Sequence, residues 1–92
     1  INEVMDMASS SDIELFVRET AGSVEGVIAL EKCYVRKTGF SYYVDLHATV
    51  KGEISVKEGH DIAHRVKGII RGSNSHIADV LVHIEPSDLL RN

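Results

Sequence analysis

Residues 40–51 alternate without interruption. Phe40, Tyr42, Val44, Leu46, Ala48 and Val50 fall on one side, and Ser41, Tyr43, Asp45, His47, Thr49 and Lys51 on the other. A period of two belongs to an extended strand with one face on a core and one polar face. A helix turning 100° per residue would scatter the same apolar set around its circumference. The chain is therefore committed to a sheet covered on one side, with Tyr42 in the core and Tyr43 on the surface. The cover has to come from the flanking segments.

Those segments carry helical signals. Ser9-Ser10-Ser11-Asp12 supplies an N-cap, either Asp12 or a neighbouring serine, and Glu14 sits in the first turn that follows. Ile13, Phe16 and Val17, then Thr20 and Ala21, keep helical spacing as far as Gly22. Beyond the alternating strand, Ser55-Val56-Lys57-Glu58 matches a capping box. The helix it starts runs to about Arg71 before Gly72, with Ile62, Val66, Ile69 and Ile70 as its apolar stripe. His60 and His64 fall on the neighbouring flank, one turn apart, with Lys67 and Arg71.

Two further strands complete the set. One runs from Val27 to Arg36, opened by Gly26 and closed by the hairpin-like turn Lys37-Thr38-Gly39. The last runs from Ile77 to Glu85 and stops at Pro86, which cannot donate to a ladder. In it Val80, Val82 and Ile84 face one way, and Asp79, Leu81, His83 and Glu85 the other. The order is α-β-β-α-β. A helix joining the second and third strands is a crossover, right-handed when the strands are parallel. The expected fold class is α+β: a two-layer sandwich with a three-stranded mixed sheet and both helices on its apolar face, ferredoxin-like less one strand.

Composition narrows the chemistry. Ninety-two residues make one domain with one core. Ten basic against 14 acidic side chains, with no basic cluster, argue against nucleic-acid binding and suit cations better than phosphates. A single cysteine, Cys33, excludes an intrachain disulfide and reads as a small apolar strand residue. No apolar run is long enough to span a bilayer.

The remaining chemistry lies in five histidines, His47, His60, His64, His76 and His83, with Glu85 two residues after the last. Imidazole and carboxylate are the ligands that zinc and neighbouring divalent cations favour. The layering puts His47, His83 and Glu85 on the uncovered sheet face, and His60 is expected to lean over the sheet rim towards them. Solvated surface is the competing reading of the same residues. His60-Asp61-Ile62-Ala63-His64 imitates a zincin helix, but aspartate replaces the glutamate base and no third ligand follows at zincin spacing. No nucleophile elbow is present, and no enzyme is expected. His76 is expected to be solvated loop. Apolar atoms of Tyr43, Leu81 and Val35 or Tyr34 on the open face point to pairing with a second copy.

Nearly the whole chain resembles the cytosolic C-terminal domain of cation diffusion facilitators, membrane antiporters that export divalent metals in exchange for protons. Val4-Met5-Asp6 is similar to the family's linker after its last transmembrane helix, and Gly26-Val27 to the head of its first strand. Arg36 to Gly39 resembles its hairpin, and Val44-Asp45-Leu46-His47 its second strand. Ser55-Val56-Lys57-Glu58-Gly59-His60 is similar to its helix start, and Val80-Leu81-Val82-His83-Ile84-Glu85-Pro86 to its ending.

The resemblance implies that residues 1–11 are a linker from a transmembrane domain and 12–92 a cytosolic metal-binding dimerisation domain. It implies a homodimer that binds a divalent cation, foremost Zn2+, at the subunit interface and thereby favours transport. By position, His47, His60 and His83 match ligating histidines. Glu85 stands where some members have a ligating aspartate, and Glu31 where some have a further histidine. His64 is an outer partner. The alternative is a free-standing ferredoxin-like metal carrier or regulatory module.

Overall fold

The computed structural model describes residues 8–87, so most of the expected linker, including Val4-Met5-Asp6, lies outside the described residues. Five elements follow in the expected order: α1 (Ser10–Gly22), β1 (Ala29–Thr38), β2 (Ser41–Val50), α2 (Val56–Ser73) and β3 (Ile77–Pro86). The sheet order is β1-β2-β3, so the alternating strand lies in the middle. It pairs antiparallel with β1 through the Gly39-Phe40 turn and parallel with β3 through the α2 crossover.

Both helices start on capping boxes. Ser9 Oγ accepts from Asp12 N–H while the Asp12 carboxylate accepts from Ser9 N–H, so a serine is the cap and Asp12 its reciprocal partner. Ser55 and Glu58 repeat the exchange at α2, as the sequence predicts. Ile13, Val17 and Ala21 of α1, and Ile62, Val66 and Ile70 of α2, are buried at four-residue intervals. These rows share one core with Tyr42, Val44, Leu46 and Val50 of β2, and Ile77 and Val80 of β3. Residue Tyr42 also donates its hydroxyl to the Ala8 carbonyl, which ties the lead-in to the core.

Four expectations are corrected. Phe40 is 57% exposed, because it occupies the tip of the turn rather than the strand. Ile69 is 44% exposed: the helix presents a row of period four to the sheet, and residue 69 falls beside it. Thr49, assigned to the polar face, is fully buried and donates to the Ala29 carbonyl at 3.3 Å. His76 is not merely solvated. Its Nδ1 donates to the Phe40 carbonyl at 3.2 Å, and its own carbonyl accepts from Tyr42 N–H, so it locks the hairpin to the start of β3.

Gly26 is the tightest backbone position. Its φ is +100°, and a Cβ there would lie 2.7 Å from Ile62 Cδ1. Gly26→Ala is expected to cost about 1–3 kcal/mol in urea unfolding, combining left-handed strain with overpacking. Ile62→Val removes the clashing Cδ1, so the double variant should lose less than the sum of the two singles.

Candidate metal centre

The β2–β3 ladder sets His47 directly opposite His83. Side chains of registered residues on parallel neighbours project to the same face, here the one without helices. The two imidazoles consequently stack, with centroids 4.3 Å apart and planes 15° from parallel. Asp45, two residues before His47, shares that face. Its Oδ1 lies 2.9 Å from His83 Nε2 and 3.9 Å from His47 Nε2. Asp45, His47 and His83 thus offer three ligand atoms within 4.8 Å of one another.

Asp45 Oδ1 is out of contact with solvent and has no hydrogen-bond partner among the described residues; His83 Nε2 is close but not in donor geometry. A buried carboxylate oxygen left without a donor is costly, and a cation removes the cost. Ligand atoms of a tetrahedral zinc with bonds near 2.0–2.1 Å stand about 3.3 Å apart. The distances of 2.9 and 3.9 Å bracket that value. The residues present fit a small divalent cation.

Glu85 shares the open face with His83, as expected, and reaches the His47 ring. Its Oε2 is 3.0 Å from His47 Nδ1, on the far side of that ring from Asp45. An ionised carboxylate can only accept, so Nδ1 carries the proton and Nε2 presents its lone pair to the cluster. A carboxylate that orients a ligating imidazole in this way is a recurrent support of metal sites.

The other nominated residues lie elsewhere. His60 and His64 are exposed on α2 and touch each other, with centroids 4.4 Å apart. His60 borders a groove with Val82 and Ile84, which point towards the helical layer, so the sheet separates it from His47 and His83. Glu31 is exposed on β1, within a bulge: Leu30 pairs with Ala48 and Cys33 with Leu46, leaving Glu31 and Lys32 opposite His47 alone. Arg18 of α1 clamps this bulge by donating to the carbonyls of Leu30 and Glu31. Cys33 is buried in the core, and burial, reinforced by Glu14, pushes its thiol up, which keeps it protonated and unsuited to ligation. Asp45 is the residue that sequence reasoning missed. The available signal was its i, i+2 relation to His47, which puts both on one strand face.

Comparisons with known proteins identify the family and the fold. Residues 10–87 match the family model described as cation efflux protein, cytoplasmic domain. The chain belongs to that family. It is 34% identical over 82 residues to Metal tolerance protein 2 of Oryza sativa subsp. japonica, covering 89% of this chain and 21% of that protein. The domain thus spans about a fifth of the length of that relative. Among solved structures, the MamM CTD aligns with a TM-score of 0.82 at 23% identity, over 85% of this chain and 99% of the other. A variant of the MamM CTD in a cadmium form aligns with a TM-score of 0.80 at 24% identity, over 83% of this chain and 94% of the other. The fold is ferredoxin-like, and the chain corresponds to the cytoplasmic domain of cation efflux proteins. No helix among the described residues is long and apolar enough to cross a membrane.

Asp45→Asn keeps the shape of the side chain and removes its charge. Without metal it should stabilise the fold by up to about 1 kcal/mol, because it removes a charge whose Oδ1 is buried without a donor among the described residues. Urea titration in the presence of a chelator measures this.

Proposed function

We propose that this cytoplasmic domain senses divalent cations for its transporter, with Asp45, His47 and His83 as ligands and Glu85 holding the His47 ring. The observation that carries the reading is the buried Asp45 Oδ1, without a hydrogen-bond partner among the described residues, facing two imidazole nitrogens. With neutral imidazoles the group is negatively charged, so it attracts a cation before any contact forms. When bound, the cation supplies a positive centre that draws the three ligands together. Zn2+ suits two imidazoles and a carboxylate, and it precedes Mn2+ in the affinity order for nitrogen and oxygen donors. The relative with a metal-tolerance name and the neighbour with a cadmium form support metal binding at this domain.

Three protein ligands leave a coordination position open. A second copy of the chain can fill it, since the cluster lies on the face without helices. Tyr34 and Leu81, each 59% exposed and registered on either side of Asp45, and Tyr43, with the Arg36 guanidinium 5.1 Å above its ring, stand on the sheet that carries the cluster. The family model, ZT_dimer, carries dimerisation in its name. A cation bound between copies shifts the dimer towards the arrangement that binds it best, by no more than its differential affinity. In the transporter that shift favours the transport-competent arrangement of the membrane part.

Zinc titration followed by small-angle scattering and calorimetry tests this. Added Zn2+ should compact the dimer and raise the thermal midpoint. Ligand at 100 times its Kd contributes about 2.7 kcal/mol. Asp45→Asn/His83→Ala should abolish both responses. Unchanged zinc affinity in that variant contradicts the assignment.

A further inference from the structure

Three separate parts of the chain meet at the end of the domain that carries the β1–β2 turn. Tyr42 donates its hydroxyl to the Ala8 carbonyl of the lead-in and its N–H to the His76 carbonyl. His76 Nδ1 in turn donates to the Phe40 carbonyl. The Gly39-Phe40 turn, the lead-in to α1 and the loop from α2 into β3 therefore form one surface. We propose that this surface docks on an anionic lipid bilayer, with Lys37, Phe40 and Arg71 as its contacts.

Charge singles this end out. The chain as a whole carries −4. Among the described residues, the end holds Arg36, Lys37, Lys67 and Arg71 against Asp12 and Asp79. Both carboxylates are engaged: Asp12 accepts from Ser9 N–H in the α1 cap, and Asp79 pairs with Lys67 at 3.1 Å. The Arg36 guanidinium lies over the Tyr43 ring. Lys37 and Arg71 are exposed, and neither has an ion-pair partner among the described residues. Their charge is open to an anionic surface.

Shape agrees with charge. Phe40 is 57% exposed at the tip, and a Cβ built on Gly39 beside it would meet nothing within 4 Å. An aromatic ring at a protruding turn with cations beside it suits the headgroup level of a bilayer. The ring enters the boundary with the acyl chains, and the cations remain among the phosphates.

The cytoplasmic domain of an efflux protein works beside a membrane, and this chain spans 21% of the length of Metal tolerance protein 2. The lead-in, expected to join a transmembrane domain, reaches the fold at this same basic end. The inference rests on that expectation and on the family, and is independent of the cation reading. Each basic side chain near an anionic leaflet strengthens binding about fivefold, and salt screens the effect. The contact is weak for a free domain and stronger for a tethered one, whose effective concentration at the surface is set by its linker. It fixes which end of the domain faces the bilayer.

The test uses the metal-free chain with phosphatidylcholine bicelles, prepared with or without phosphatidylglycerol and doped with a nitroxide-labelled phosphatidylcholine. Paramagnetic broadening of amide NMR signals should centre on residues 36–40 and 71–76 when phosphatidylglycerol is present, and should vanish without it. Lys37→Gln/Arg71→Gln should weaken binding by more than about tenfold, and added Phe40→Ser should weaken it further, with circular dichroism showing the fold retained. Inorganic phosphate should leave these amides unshifted; shifts there would assign the patch to a free anion and overturn the proposal. Broadening that persists on phosphatidylcholine alone, centres on β3, or is indifferent to Lys37→Gln/Arg71→Gln overturns it too. That variant keeps Asp45, His47 and His83, so a parallel Zn2+ titration separates failure of this proposal from failure of the cation reading.

Discussion

The parallel ladder between β2 and β3, in the register that sets His47 against His83, is the constraint on which the open face of the domain depends. Hydrogen bonds alone do not choose that register. It is chosen by burial, because slipping β3 by one residue would turn Val80 out to water and bring Asp79 and Leu81 into the core. The α2 crossover adds a second restraint: Ile62, Val66 and Ile70 must meet the same sheet surface. The stacked imidazoles are thus held by packing on the other side of the sheet. Metal chemistry is not needed to assemble them.

This arrangement separates stability from function. The apolar side of β2 is closed by two capped helices and contributes the fold. The polar side carries few side chains that the core needs, so it is free to hold charge. The exception is Thr49, buried at the sheet's end against Ala29, where β1 begins. The β1 bulge at Glu31 and Lys32 lies opposite His47, and Arg18 secures its carbonyls from α1. It corrects the phase of β1, allowing both Leu30 and Cys33 to face inward despite their odd spacing.

Much of this was legible in the residues. Alternation identified β2 and its faces, since period two has a single structural cause. The capping box at Ser55 and the stop at Pro86 followed from backbone hydrogen-bond requirements. Less legible were features that depend on neighbours. Phe40 fits the strand pattern but lies where the chain reverses. Ile69 belongs to a helical stripe wider than the surface it meets. His60 needed the packed orientation of α2 to be placed, beside Val82 and Ile84 of the edge strand β3. Asp45 was read as a polar-face residue; its role emerged only when the β3 register brought His83 to within 2.9 Å of it.

The central claim is that Asp45, His47 and His83 surround one cation. Anomalous diffraction from crystals of this chain grown with one equivalent of Zn2+ tests it most directly, by locating the ion without reference to affinity or dimer shape. The account predicts a peak about 2.0–2.2 Å from Asp45 Oδ1 and the Nε2 atoms of His47 and His83, with Glu85 on the outer nitrogen of His47. A zinc ion bound in the crystal away from Asp45 and His83 would contradict it.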